Sequence, residues 1–283
     1  MTKLKYVKEL LQTDLGTEGS LLIMKKIHDT LIQSVDKVMI PRSEAAWVVG
    51  PAQIPGSSYD FNLASEDTMD VRAIGEGAEI YHDQEEYTSV NIKPVKYGVQ
   101  IRITSEMLED AKWNLLDMNV ATAGKRLAEN ENSLVITALD GAANTTSGGA
   151  AITIANITES MQDLEDKDYT CTTFLVGNEV LNDLRNIDTF VEANKVGNTE
   201  MLQRGFLGTI YGMNVLRVST NAGMTKTTSF VLDRTQAYAI VEKRPITVER
   251  FRLETYDMDG AIVTQRIAVG LLRSNAVSKI TTS

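Results

Sequence analysis

The sequence predicts an α+β chain organised around one long helix, and three observations lead there. Apolar and small residues recur at helical spacing from Val120 to Leu139. Period-two alternation marks strands before the helix, over 90–103, and strands again after 240. Between these regions short helical and strand-like segments alternate, as in a small mixed α/β unit.

Residues 1–42 read as an arm. A turn at Gly16–Ser20 precedes Leu21, Leu22, Met24, Ile27, Leu31, Ile32 and Val35, which share a helix face beside Lys25, Lys26 and Asp29. The mixed charges favour packing on protein over lying on a membrane.

Residues 43–103 read as an extended loop with flanking strands. Three of the five prolines fall between 41 and 62. Strand-like Val71–Ile74 leads into Gly75, Glu76, Gly77, Ala78 and Glu79, and Asp83, Glu85 and Glu86 form an acidic tract. Val90 and Ile92 alternate with polar residues. The phase switches at Pro94, and Val95, Tyr97, Val99, Ile101 and Ile103 alternate in turn. A phase switch beside a proline predicts a bulge or bend in an edge strand. A long two-stranded ribbon has little core of its own and calls for a partner surface.

Residues 104–140 hold the helices. Thr104 and Ser105 offer a cap, and Glu106, Glu109 and Asp110 suit the positive end of a helix dipole. Trp113–Asn114 reads as a break and Asp117 as a second cap. Ala123, Gly124, Leu127, Ala128, Leu134, Val135, Ala138 and Leu139 then form the apolar face. Lys125, Arg126, Glu129, Asn130, Asn132 and Ser133 lie away from it. Glu131 falls in the centre of the apolar stripe. It is either a carboxylate at an exposed edge, the simpler reading because buried charges are rare, or the partner of a Lys or Arg from elsewhere. Asp140–Gly141 ends the helix.

Residues 141–240 change character. Ala142–Ala150 reads as a Gly-rich loop, Thr158–Asp166 as a short helix and Phe174–Val176 as a buried strand. A helix starts at Asn178, and strands run over 213–218 and 229–233. Residues 241–283 return as long strands, with a slip of phase near Glu249–Arg250, a hairpin turn at Asp259–Gly260 and a final strand ending at Ile280. If these strands pack on the long helix, the unit that holds it is discontinuous in sequence.

Composition excludes several functions. A net charge of −10 argues against a chain whose main work is gripping nucleic acid phosphates. No apolar run reaches the ~20 residues of a membrane span. The single cysteine, Cys171, sits in an apolar run and reads as a core residue, not a nucleophile. His28 and His82 have no partner at metal-ligand spacing. Gly75-Glu76-Gly77 lacks the third glycine and following helix of a dinucleotide loop. No calcium loop fits the acidic tract, and no phosphate loop or nucleophile motif occurs. No catalytic, cofactor or metal residue is predicted.

In its order of elements the chain resembles a tailed-phage major capsid protein of the Hong Kong ninety-seven type, a fold shared with encapsulins. The residues that carry the resemblance are Ile74-Gly75-Glu76-Gly77-Ala78-Glu79-Ile80, Val90 to Tyr97, Ile103 to Ala111 with the helix behind it, the Gly-rich region after it, and the closing Asp259–Gly260 hairpin with Arg273-Ser274-Asn275-Ala276-Val277. The resemblance implies an N-terminal arm (1–42), an extended β-ribbon loop (43–103), and a peripheral domain of spine helix (104–140) and returning strands (241–283). A mixed α/β axial domain (141–240) completes it. It also implies self-assembly into pentamers and hexamers of an icosahedral shell around double-stranded DNA, bound without sequence specificity. Scaffold and portal proteins would be partners, with no membrane involved, and the virion the destination after assembly in the host cytoplasm. The arm begins almost directly, so a separate scaffold, or none, is expected. Gly75, Glu76, Gly77, Ala78 and Glu79 would contact a neighbouring subunit. An encapsulin-type shell around enzyme cargo is the alternative.

Overall fold

The computed structural model describes residues 40, 42–65, 71–77, 79–80, 82–110, 115–187 and 208–282. The amphipathic segment of the arm and His28 lie outside them. After a 3₁₀ turn at Arg42–Glu44 come strands β1 (Trp47–Val49), β2 (Tyr59–Ala64), β3 (Tyr87–Ile92) and β4 (Val95–Thr104). Helices α1 (Ser105–Asp110) and α2 (Leu115–Leu139) follow. Next are β5 (Asn144–Gly149), α3 (Ile154–Glu165), β6 (Thr173–Val176), α4 (Asn178–Asn186), β7 (Thr209–Ile210), β8 (Met213–Arg217) and β9 (Thr228–Leu232). The chain closes with β10 (Tyr238–Leu253), β11 (Met258–Leu271) and β12 (Val277–Thr282). The class is α+β.

The described strands form a four-stranded sheet in the order β1-β10-β11-β4, a six-stranded sheet in the order β5-β12-β9-β6-β8-β7, and the ribbon β2-β3. At ~1.5 Å per residue, the 25 residues of α2 span about 38 Å, enough to serve two cores. Val120, Ala123, Leu127 and Ala128 pack on Ile101, Ile103, Ala261 and Val263 of the four-stranded sheet. One or two turns on, Val135, Ile136 and Leu139 enter a larger core with Phe174, Leu175, Phe230 and Ile280 of the six-stranded sheet and Ile157 and Leu164 of α3. The returning strands therefore do pack on the long helix. The last strand does not stay with them, because β12 lies between β5 and β9 in the six-stranded sheet.

A third cluster anchors the ribbon on the other face of the four-stranded sheet, where Phe61 and Ile92 meet Ala239, Val241 and Leu272. Gly270 makes this fit possible: a Cβ there would lie 2.4 Å from Cδ1 of Ile92.

Local expectations fare unevenly. Thr104 caps α1, its hydroxyl accepting from the Met107 amide at 3.3 Å. Asp117 lies inside α2 instead of capping it. Pro94 marks no bulge within one strand. It separates β3, paired with β2, from β4, paired with β11. Val71–Ile74 forms no strand and is exposed. The stretch 144–149, read as loop, is an edge strand parallel to β12, since an edge position asks little of side-chain propensity. The irregularity in β10 falls between Glu242 and Thr247, around Pro245, not near Glu249–Arg250. Pro245 has no amide proton to give the ladder.

The hairpin turn is not Asp259–Gly260 either. The chain reverses through Glu254–Tyr256 and Asp257, which adopts φ 46, a conformation that Asp tolerates better than most residues. Gly260 lies inside β11 opposite Phe251 and Arg102, and a Cβ there would come 2.5 Å from the Phe251 ring. The glycine serves a cross-strand close approach, which in sequence looks the same as a turn.

Leu127 is buried and Leu134 only partly so. Leu127→Ala is therefore expected to cost ~2–5 kcal/mol, and Leu134→Ala clearly less, in urea denaturation of the isolated subunit. Equal costs would mean that α2 presents a different face to the sheet.

Candidate assembly surfaces and the buried charge cluster

Glu131 is among the most buried carboxylates, with its side chain 3% exposed. Of the two sequence readings the paired one holds. Arg42 donates from Nε to Glu131 Oε1 at 2.9 Å and from Nη2 to Oε2 at 3.0 Å, a two-pronged contact that suits the planar guanidinium. The same side chain reaches Glu242 on β10 through Nη1 at 3.0 Å and Nη2 at 3.1 Å. Burial works to lower the pKa of Arg42. The hydrogen bonds and charges of Glu131 and Glu242 outweigh it and hold the guanidinium above its ordinary range.

Two carboxyl groups thus share one guanidinium, and Gln265 of β11 supplies the remaining donor. Its Nε2 lies 3.1 Å from Glu131 Oε2 and 3.3 Å from Glu242 Oε1, while its own Oε1 is buried without a partner. An orphaned amide oxygen costs ~1–3 kcal/mol. Bonds to charged acceptors are about twice as strong as neutral ones, so the acids set the amide's orientation.

The segment that supplies Arg42 is held along its length. The Ile40 amide donates to Asn132 Oδ1 at 2.8 Å, Thr173 Oγ1 of β6 donates to the buried Glu44 carboxylate, and the Ala46 amide donates to the Tyr238 carbonyl at 2.9 Å. Ile40, Glu44 and Ala46 therefore tie α2, β6 and β10 together. Glu129 and Asn132, expected on the solvent side of α2, are buried at 4% and 2% exposure. Arg126 reaches Glu129 at 2.8 Å and Asn221 reaches it at 3.4 Å. Periodicity could not reveal these partners, because they lie far away in sequence. A carboxylate in an apolar stripe was the available signal that one was needed.

The predicted interface residues lie elsewhere, beyond the free end of the ribbon. β2 and β3 pair over six residues, from Tyr59↔Ile92 at the sheet to Ala64↔Tyr87. Ring contacts brace the base, Tyr59–Phe61 at 4.8 Å and Trp47–Phe61 at 6.2 Å. Past it, Gly75, Glu76, Gly77 and Glu79 are exposed and outside any regular element. Ala78 is outside the described residues. Gly77 takes φ 77 in a turn, and Arg72 bridges to Asp83 at 3.8 Å across the loop. Ile80 and Tyr87 are 77% and 72% exposed. Large apolar side chains on a thin projection have no core of their own to enter.

Among the described residues no group of three or more His, Cys, Asp or Glu is placed to hold a metal ion, and no described helix is long and apolar enough to cross a membrane. His82 is exposed. Burial, with lesser contributions from Glu165 and Asp233, pushes the Cys171 thiol up to about 12.

This architecture is the fold of viral shell proteins. It is similar to the mature capsid subunit of bacteriophage PhiM1, at TM-score 0.67 and 11% identity over 87% of each chain. It is similar to a solved structure from Gordonia phage Cozz, at TM-score 0.64 and 14% identity over 90% of this chain and 86% of that one. It also resembles a virus-like particle from Pyrococcus furiosus, at TM-score 0.60 and 12% identity over 91% of this chain and 99% of that one. Comparison with curated proteins returned no match. The profile of the phage capsid protein family matches residues 86–280, and the chain belongs to that family. It is a structural protein of the bacteriophage capsid, not an enzyme, and its place is the shell of the virion.

Two measurements check the site. Arg42→Met leaves Glu131 buried without its cation and is expected to cost about 3 kcal/mol in denaturation. Adding Glu131→Leu should recover part of that loss, and a cycle with no coupling would refute the pairing. Cys171 should react with an aromatic disulfide at pH 8 only after unfolding, because a thiol titrating near 12 is ~10⁻⁴ thiolate there.

Proposed function

We propose that this chain assembles with copies of itself into pentamers and hexamers that close an icosahedral shell around double-stranded DNA. The observation that carries the reading is the exposed loop beyond the β2–β3 ribbon, with Ile74 and Ile80 uncovered, on a member of the phage capsid protein family. Gly75–Glu79 is the part of it that contacts a neighbour.

In this reading the four-stranded sheet and the first turns of α2 make the peripheral domain. The six-stranded sheet with α3 and α4 makes the axial domain, and β12 belongs with it. Residues 1–42 act as the arm. Scaffold and portal proteins are the further partners, and assembly takes place in the host cytoplasm. The DNA is enclosed without sequence-specific contacts, consistent with the acidic balance of the chain.

The protein expressed alone, or with its scaffold, should give closed hollow particles or rings of five and six subunits in negative-stain microscopy. Shells carrying protein cargo and needing no portal would replace the viral reading with the encapsulin one. Deletion of residues 75–79 is expected to leave a soluble, folded subunit that no longer closes shells. Normal shells from that deletion would remove the loop from the interface.

A further inference from the structure

Helix α3 covers one face of the six-stranded sheet along a seam that is polar where its surroundings are apolar. Two contacts fix that face. Thr146 Oγ1 of β5 donates to Asp163 Oδ2 of α3 at 3.3 Å, and Ser278 Oγ of β12 donates to the same oxygen at 3.5 Å. Register carries the face across the sheet. Thr146 pairs with Ile280, and Ile280 pairs with Ser229 of β9. Laterally paired residues point to one side of a sheet, so Ser229 points toward α3 as Thr146 does. Ser160 comes from the helix, on the buried stripe it shares with Ile157 and Leu164. Around them Ile157, Leu164, Val231 and Ile280 belong to the large core.

The hydroxyls in this seam are poorly served. Ser160 and Ser229 are both 0% exposed, and neither Oγ has a hydrogen-bond partner among the described residues. The two bonds to Asp163 are long, since hydroxyl donors favour about 2.7–2.8 Å. A buried hydroxyl without a partner keeps the full cost of leaving water, a cost that alanine at either position would not carry. The opposite face of the sheet, where Lys279 reaches Asp140 just past α2, carries instead the apolar pair Leu175 and Phe230.

We infer that the seam binds an internal water molecule, held between Ser160 Oγ of α3 and Ser229 Oγ of β9. Water is the ligand class that matches. A buried water needs about two to four polar partners. Each serine hydroxyl can donate one hydrogen bond and accept others, and the half-buried Asp163 carboxylate is a further acceptor on the same side. A divalent cation lacks ligands here, because no group of three His, Cys, Asp or Glu forms among the described residues. The water makes the hold of α3 on the sheet partly solvent-mediated. It belongs to the single subunit, whether or not shells form.

The test is a density map of the wild-type subunit or shell, sharp enough to show waters. Density within hydrogen-bond distance of both Oγ atoms is expected. A direct Ser160–Ser229 bond, or Ser160 bonded back to the Asn156 carbonyl one turn earlier, with no density between the two hydroxyls, overturns the proposal. Solution measurements check it independently. Ser160→Ala strands Ser229 and Ser229→Ala strands Ser160, so each should raise the unfolding equilibrium constant by up to roughly tenfold. Combining the two removes both polar groups, and the double variant should be no less stable than the worse single one, a departure from additivity. Oxygen-17 relaxation dispersion should count one long-lived water fewer in the double variant than in the wild type. Additive costs together with an unchanged water count overturn the proposal. If a variant does not fold, the wild-type map decides alone.

Discussion

A helix that serves two cores cannot carry an uncompensated carboxylate at the point where one core gives way to the other, and α2 carries Glu131 there. Leu127 and Ala128 face the four-stranded sheet, and Val135 and Ile136 face the other core. Glu131 lies between the two sets, and Arg42 is what makes its burial tolerable. The guanidinium comes from 89 residues away and also takes hold of Glu242, 200 residues from itself. A buried ion pair gives little net stability over a well-packed apolar substitute. It does restrict which arrangement of the three elements is allowed, because any other leaves a carboxylate dry and unpaired.

That restriction matters for a shell subunit more than for a lone globular protein. A shell repeats one subunit many times, so an error in the angle between its two sheets is repeated as well. The segment 40–46 crosses the junction and is fixed to α2, β6 and β10 by the Ile40, Glu44 and Ala46 contacts. The ribbon is anchored differently. Its base lies in a small apolar cluster against the sheet, and its far end continues into loop with no core of its own. The molecule therefore combines a tied body with one weakly supported projection, a combination suited to forming fixed units that then engage neighbours.

The elements legible in the sequence were those whose signal is local. The end of α2 at Leu139, the capping of α1 by Thr104, the helix from Asn178 and the buried strands at 174–176 and 229–232 follow from periodicity and end residues, and the structure has them. Failures came where a long-range contact decided the outcome. Asp259–Gly260 carries the strongest short hairpin signal in the region, but Phe251 needs the missing Cβ of Gly260 and the reversal falls five residues earlier, from Glu254. Small polar residues at 144–149 become a strand because β12 offers a backbone edge. Glu129 and Asn132 are buried because Asn221 and Ile40 come from far away to meet them. A row of cations was invisible for the same reason: Lys96, Arg244 and Arg266 become neighbours only through strand register.

Register also changes what net charge can mean for this protein. At the level of composition, −10 suggests a uniformly acidic surface. In the folded subunit the charge is segregated. The loop over 71–86 alone holds five carboxylates and one guanidinium, a net −4, while register sets Arg244, Arg266 and Lys96 side by side across three strands of the four-stranded sheet. Opposite charges carried on different parts of one subunit are available to contacts between copies as well as within one. Screening at physiological salt, with a Debye length of about 8 Å, confines the attraction to direct contact. It would favour a loop already seated over one approaching from a distance, and so act on the closure of the shell more than on the first encounter of its subunits.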